Sequence, residues 1–416
     1  MTTVHRLPSG AYLVVCKGAP ENLLDPTADA ALLDAAAELA ADGLRVLALA
    51  TTTVTEQPDP TEPPPLRTTG LVGIGDPLRA TARDTAAAFE RSGVRLLLIT
   101  GDHPGTATAI GRRLGILGPG DVVARGDDGP LTATDIEHAR VYARTQPEQK
   151  LDIIAALQQR GEVVAMTGDG VNDAPALRRA DIGVAMGSGT EVARQAAELV
   201  LVDDNLGTVA DAIGEGRRIY DNIRRFLRYA LSGGVAELLV MLAGPLLGMP
   251  LALLPAQLLW INLLTHGVPG VALGAEPAEA DVLRRAPRSP QESVLGAGLL
   301  RDILAGAGLL AVVTLAAGVV AGRSGLPWQS VMFLVLGLSQ LGVALAVRAK
   351  AAPGTPRNHA LLAAVAVCVL LQVAGVLVAP LRALLGTEPL TVTTILACCA
   401  VAALPGAILR LTRRRH

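Results

Sequence analysis

The chain has 416 residues, enough for two or three domains. Hydrophobic residues make up 50% and the mean hydropathy is +0.43, yet 18% of residues are charged, a mixture that predicts a soluble part joined to a membrane part. A net charge of −2 supplies no global basic field, which argues against nucleic acid as a partner. The four cysteines, Cys16, Cys368, Cys398 and Cys399, form no C-x-x-C pair, so neither a disulfide framework nor a zinc site is indicated. The polar N-terminus has no apolar signal region, which predicts a chain that is not secreted.

In chain order, residues 1–57 read as a small α/β piece. A strand, Ala11-Tyr-Leu-Val-Val-Cys16, runs into Lys17-Gly-Ala-Pro-Glu21; a helix over 32–39 and a strand over 44–50 follow. On its own, Lys17 after a strand is weak evidence for a nucleotide, since most lysines are simply solvated. The proline-rich run Gln57-Pro-Asp-Pro-Thr-Glu-Pro-Pro-Pro65 predicts an extended hinge over 58–69. Over 70–212, strands alternate with helices. Gly70-Leu-Val-Gly-Ile-Gly75 ends at Asp76-Pro-Leu-Arg79, and Val94-Arg-Leu-Leu-Leu-Ile99 ends at Thr100-Gly-Asp102. Short strands are expected at 122–124 and 141–143, and a helix over 149–160. This alternation predicts a doubly wound parallel sheet.

One stretch in that region stands out: Met166-Thr-Gly-Asp-Gly-Val-Asn-Asp-Ala-Pro-Ala-Leu177. The apolar run Val163-Val-Ala-Met166 predicts a strand, and Asp169, Asn172 and Asp173 crowd the Gly-rich loop after it. Ligands of open α/β sheets sit at the carboxyl ends of strands. Two carboxylates and a carboxamide there suit a hard cation such as Mg²⁺. An isolated D-G dipeptide is more often an ordinary turn; two strands of one sheet that both end in T-G-D are not expected by chance.

From 213 a charged amphipathic helix runs to Arg228 and then turns apolar without a break. Spans are expected at about 229–248, 253–273, 297–321, 328–347, 359–380 and 391–410. Arg284, Arg285, Arg288, Arg348, Lys350, Arg357 and Arg413 to Arg415 fall on one side, and only Arg323 and Arg382 on the other. This bias predicts a cytoplasmic soluble part. Glu237 in the first span is a site candidate because an intramembrane carboxylate is expensive. Asn262, Thr265 and His266 share a helical face, at i, i+3 and i+4. Gly267 and Pro269 could loosen that helix and free its carbonyls. The competing role for Asn262 and Thr265 is hydrogen-bonding glue between helices.

The strings K-G-A-P-E, D-P-L-R, T-G-D-H, T-G-D-G-V-N-D-A-P-A-L and Q-L-L-W-I-N-L-L-T stand in the order seen in P-type cation ATPases, and the chain resembles the calcium-pump-like branch of that family. The resemblance implies a haloacid-dehalogenase-like α/β domain preceded by part of a nucleotide-binding domain and followed by a six-helix transmembrane bundle. It implies ATP and Mg²⁺, with Asp169 as the Mg²⁺ ligand and Asn172 and Asp173 arranging that site. It further implies that Lys150 meets the transferred phosphoryl group, and that Thr100, Gly101 and Asp102 contact phosphate and nucleotide. Lys17, Gly18, Arg45 and Arg79 are implied as further nucleotide contacts. Glu237, Asn262 and Thr265, with His266 and more weakly Gln340, are implied as ligands of a transported cation. The implied setting is a multi-pass protein of the plasma membrane.

The sequence also departs from the family. It contains no D-K-T-G-T string, which carries the phosphorylated aspartate, and no T-G-E loop. The expectation is therefore a C-terminal portion that does not phosphorylate itself: a truncated gene product, a relic, or one half of a split pump whose partner is a separate N-terminal half. At 266 an imidazole stands where calcium-pump-like members usually have an aspartate, which removes a charge and leaves the ion open. Two other functions compete: a non-catalytic nucleotide-binding membrane protein that regulates a full-length pump, and a membrane-anchored phosphatase. A phosphatase needs the same absent nucleophile.

Overall fold

The computed structural model describes residues 1–75, 77–129, 131–249, 251–350 and 354–413. Asp76 of the D-P-L-R string, and Arg414 and Arg415 of the C-terminal basic run, lie outside the described residues. The chain divides into two units, Met1–Asp211 and Ala212–His416.

The first unit opens with β1 (Thr2–Arg6), β2 (Tyr12–Gly18), α1 (Pro20–Leu23), α2 (Ala30–Ala41), β3 (Arg45–Val54) and β4 (Arg67–Ile74). The strands form one antiparallel sheet in sequential order. Alternation decides its faces: Val14, Cys16, Ala48 and Ala50 are buried, while Lys17 and Arg45 are exposed. The strand expected around Gly70 is present, but it pairs antiparallel with β3, Arg45 opposite Ile74, and does not join a parallel sheet. β-branched residues at 67–74 suit an edge of that sheet, and strand direction could not be read from the pattern.

Then come α3 (Ala82–Arg91), β5 (Leu98–Ile99), α4 (Pro104–Leu114), β6 (Val123–Arg125), α5 (Ala133–His138), β7 (Val141–Ala143), α6 (Pro147–Gln159), β8 (Ala165–Gly168), α7 (Ala174–Arg179), β9 (Ile182–Met186), α8 (Glu191–Ala196) and β10 (Leu199–Leu201). All pairings here are parallel, as expected, but they form two three-stranded sheets, β5-β7-β6 and β10-β9-β8. The completely buried β7 is the centre of the first, and the largely buried β9 the centre of the second. β5 and β8, the two strands that end in T-G-D, therefore stand at sheet edges.

The second unit is helical. α9 (Gly207–Ala243) is one uninterrupted helix of 37 residues, as the unbroken pattern predicts. α10 (Pro255–Asn262), α11 (Val268–Leu273), α12 (Leu299–Arg323), α13 (Trp328–Ala346), α14 (His359–Leu377), α15 (Ala379–Leu385) and α16 (Val392–Arg413) follow. Among the described residues five helices, α9, α12, α13, α14 and α16, are long and apolar enough to cross a membrane. The expected span at 253–273 is not one continuous helix. A π turn at Leu263–Gly267 separates α10 from α11, where Gly267 and Pro269 deprive the helix of propensity and of a donor. α13 is buried along almost its whole length and forms the axis around which the other helices pack.

Candidate functional site

The soluble site is built at the end of β8. Gly168 closes the strand, and a Cβ there would lie 2.5 Å from the Cβ of Asp173, so only glycine lets the loop fold back. Asp173 then accepts from two donors. The Gly170 N–H reaches its Oδ2 at 3.2 Å and the Lys150 Nζ its Oδ1 at 2.8 Å. Lys150 is delivered by the first turn of α6, which Gln149 anchors by accepting from the Gln146 N–H and donating to the Gly126 carbonyl, both at 2.9 Å. The Lys150 and Asp173 side chains are 18% and 15% exposed, so solvent screens this pair weakly. Asp169 is different. Its carbonyl accepts from the Thr190 N–H at 2.8 Å, while its exposed carboxylate makes no ion pair among the described residues. Asn172 is likewise exposed.

The second T-G-D, after β5, is an internally bonded turn. The Thr100 Oγ1 donates to the Asp102 Oδ2 at 2.8 Å and accepts from the Asp102 N–H at 3.1 Å. The Arg144 and Thr145 N–H groups donate to the Asp102 and Thr100 carbonyls, each at 3.0 Å. Arg144 adopts a left-handed φ of 50° and its guanidinium donates to Glu21 at 2.9 Å. The K-G-A-P-E loop is thereby tied to the Thr100–Asp102 turn. Lys17 and Arg45 lie at one end of the antiparallel sheet and on one face of it, because Lys17 pairs with Leu49 and Arg45 lies four residues away on the same strand. Arg79 goes elsewhere: its guanidinium donates to the Asp204 carbonyl. Among the described residues no hydrogen bond joins Asp102 to Asp169. Sequence reasoning missed Arg144, Glu21 and Thr145. Thr145 is 7% exposed, and its Oγ1 is buried without a hydrogen-bond partner among the described residues. The signal available for Glu21 was its place in K-G-A-P-E; no local pattern marks the other two.

A metal can be tested against this donor set. Among the described residues no three His, Cys, Asp or Glu side chains cluster as a ready-made metal cage. Mg²⁺ is usually held by one or two carboxylates with water and substrate phosphate completing its shell. Asp169, a free carboxylate at a strand end, fits that mode; Asp173, spent on Lys150, serves as its neighbour.

In the helical unit the polar residues converge on Glu237, which is 7% exposed. The Asn262 Nδ2 donates to its Oε2 at 2.9 Å and the Gln340 Nε2 to its Oε1 at 3.0 Å. Gln340, read from the sequence as the weakest candidate, is thus in direct contact. Gly233 makes room for it, since a Cβ there would lie 2.7 Å from the Gln340 Oε1. Among the described residues that Oε1 has no hydrogen-bond partner, nor has the Ser339 Oγ. Among the described residues neither Thr265 nor His266 hydrogen-bonds to Glu237. The Thr265 hydroxyl donates to the Ile261 carbonyl at 2.9 Å, and the His266 Nε2 lies 3.0 Å from the Ala230 carbonyl. Tyr229, which the sequence gave no reason to single out, donates its hydroxyl to the Thr265 carbonyl at 2.7 Å inside the π turn. The arrangement offers carboxylate and amide oxygens beside an interrupted helix, the donor type a hard cation takes.

A haloacid-dehalogenase-like soluble unit and a membrane bundle with a buried carboxylate are thus the parts of this chain. Comparison with known proteins agrees on both. Residues 13–181 match the family described as haloacid dehalogenase-like hydrolase, as do residues 151–213, and residues 250–415 match that described as cation transporting ATPase, C-terminus. The chain is 42% identical over 331 residues to a probable cation-transporting ATPase F of Mycobacterium tuberculosis, covering 73% of this chain and 36% of the relative. It is 44% identical over 282 residues to a calcium-transporting ATPase of Bacillus subtilis, 65% of this chain and 32% of the relative. With the endoplasmic reticulum calcium ATPase srcA of Aspergillus fumigatus it shares 45% over 245 residues, 57% of this chain and 25% of the relative. The chain belongs to the cation-transporting ATPase family and spans between a quarter and about a third of the length of these relatives.

Proposed function

We propose that this chain forms the ion-binding and Mg²⁺-holding part of a P-type pump that couples ATP hydrolysis to movement of a cation across the plasma membrane. The observation that carries the reading is Glu237, a buried intramembrane carboxylate held by Asn262 and Gln340 next to a π turn. Such a group is costly in a bilayer and is retained where it has a ligand to meet. Unpaired oxygens on Gln340 and Ser339 add acceptors to the same region. The excess of arginine at one end of the bundle supports a cytoplasmic location for that end.

Phosphoryl transfer needs positioning and charge neutralisation more than elaborate chemistry. Lys150 neutralises the phosphoryl oxygens, with Asp173 fixing its ammonium in place. Asp169 would hold Mg²⁺, which when bound neutralises phosphate charge beside the Lys150 ammonium. Lys17, Gly18 and Arg45 receive the nucleotide, and Thr100, Gly101 and Asp102 present a rigid turn to its phosphates. The acceptor aspartate of such a pump lies in a D-K-T-G-T string, which these 416 residues do not contain. A second reading, a non-catalytic nucleotide-binding regulator of a full-length pump, is supported by Lys17 and Arg45 sharing one face of the antiparallel sheet.

Equilibrium binding of Ca²⁺, Mn²⁺ and Zn²⁺ to the purified full chain in detergent separates the two. The pump reading expects saturable binding of at least one ion, weakened about tenfold or more by Glu237→Gln. Nucleotide binding without any saturable cation binding would establish the regulator instead. Incubation with γ-labelled ATP should leave no acid-stable label on the isolated chain; a label there would reveal an acceptor within it.

A further inference from the structure

Four cations surround a cavity of about 520 Å³ at one end of the helical bundle: Arg348, Lys350, Arg357 and Arg410. It lies where α13 finishes at Ala346, α14 begins at His359 and α16 approaches its last turn. Among the described residues its one acidic lining residue is Glu276, which is 1% exposed and already neutralised. Glu276 accepts from the Arg348 Nε at 3.2 Å and from the Ala349 N–H at 2.8 Å. Arg357 and Arg410 have no carboxylate within 4.0 Å among the described residues. The nearby smaller cavity, about 190 Å³, makes the contrast: its Arg225, Arg228 and Arg285 are each paired with Glu279, Asp302 or Asp221. Among the described residues the larger cavity therefore carries the uncompensated positive charge of Arg357 and Arg410.

Its wall is also apolar. Leu362, in the first turn of α14, lines it and is 40% exposed. Positive charge beside exposed hydrocarbon, at the end of membrane-crossing helices, is the complement of an anionic amphiphile. The volume lies within the usual range of small-ligand cavities, about 300–1,000 Å³.

We infer that this cavity is a binding site for an anionic membrane phospholipid, with Arg357 and Arg410 meeting the headgroup phosphate and Leu362 an acyl chain. The site rests on the membrane-spanning character of the helices and does not depend on transport or on ATP. Retention of lipid by the purified full chain, read by native mass spectrometry after equilibration with palmitoyl-oleoyl phosphatidylglycerol or phosphatidylcholine, tests it. Phosphatidylglycerol is expected to be retained roughly tenfold more than phosphatidylcholine, since each basic residue at a membrane surface adds severalfold to anionic-lipid affinity. The double variant Arg357→Gln/Arg410→Gln should fall to the phosphatidylcholine level, and Arg323→Gln, at the opposite end of α12, should change nothing. Leu362→Glu, at an exposed position, provides a second route: a carboxylate at the mouth should repel the headgroup with folding preserved. Equal retention of the two lipids, or unchanged retention in the double variant and in Leu362→Glu, overturns the site. Inorganic phosphate that displaces phosphatidylglycerol and binds alone with the same arginine dependence would show a soluble phosphate ligand and overturn the lipid assignment.

Discussion

Gly168 and Lys150 constrain Asp173 in two different ways, one by vacating space and one by supplying charge. A methyl group at 168 would overlap the Asp173 side chain at 2.5 Å, so Gly168→Ala should cost about 1–3 kcal/mol through overpacking. Lys150→Met strands a carboxylate that is only 15% exposed, which should cost about 1–3 kcal/mol, with the Gly170 N–H still in place. Urea titration of the full chain, followed in the first unfolding transition, checks both; midpoints unchanged from wild type would show the loop to be held by other contacts. His266 makes the sharper residue-scale case. Its imidazole engages the Ala230 carbonyl and leaves Glu237 as the one carboxylate of the polar cluster. His266→Asp adds a hard anionic oxygen one helical turn from Asn262, so Ca²⁺ affinity should rise about tenfold or more. Isothermal titration with Ca²⁺ reads this directly, and an affinity equal to that of wild type would place 266 outside the ion site.

Among elements, the interruption between α10 and α11 is the one whose formation needs a partner. A π turn frees backbone groups that must be satisfied, and the Tyr229 hydroxyl on the Thr265 carbonyl does so. Tyr229→Phe should therefore cost about 1–2 kcal/mol in thermal stability, measured by calorimetry in detergent. The loop that follows α11 is pinned by charge. Burial alone would raise the Glu279 carboxyl, but Arg225 at 2.6 Å and Arg285 at 2.9 Å outweigh it and hold the group below its ordinary value. A carboxylate depressed in the folded state contributes stability that is present above its unfolded pKa and lost as pH falls through the folded one. Stability of the helical unit should thus decline as pH falls below the ordinary glutamate value of about 4.3, and Glu279→Gln should flatten that decline. A scan of melting temperature against pH decides it. Part of this was readable beforehand. Gly267 and Pro269 announced a loosened helix, and Glu237 declared itself by charge in an apolar run. Tyr229 did not, because an aromatic at a span boundary looks like any interfacial anchor. Gln340 was legible as a residue type but not as a contact, since nothing in the sequence of α13 tells that it lies against Gly233.

At the scale of the molecule, patterns carried by period were legible and those carried by pairing were not. The membrane helices, the parallel strands and the run of α9 through Arg228 all follow from periodicity and apolar length. The direction of β4 and the separation into two three-stranded sheets depend on which strands hydrogen-bond, which alternation does not encode. The unbroken α9 has one more implication. Three of its side chains are committed to different neighbours: Tyr229 to the Thr265 carbonyl, Ser232 to the Ile303 carbonyl at 3.2 Å, and Glu237 to Asn262 and Gln340. A helix advances about 100° per residue, so these commitments fix the side chains' angular positions relative to one another. One alanine inserted between Ser232 and Glu237 would swing the carboxylate about 100° away while leaving Tyr229 in place. Seven inserted residues, about two turns, would restore its bearing but displace it by roughly 10 Å along the axis. Length and angle cannot both be recovered, so this stretch of α9 tolerates substitution far better than insertion.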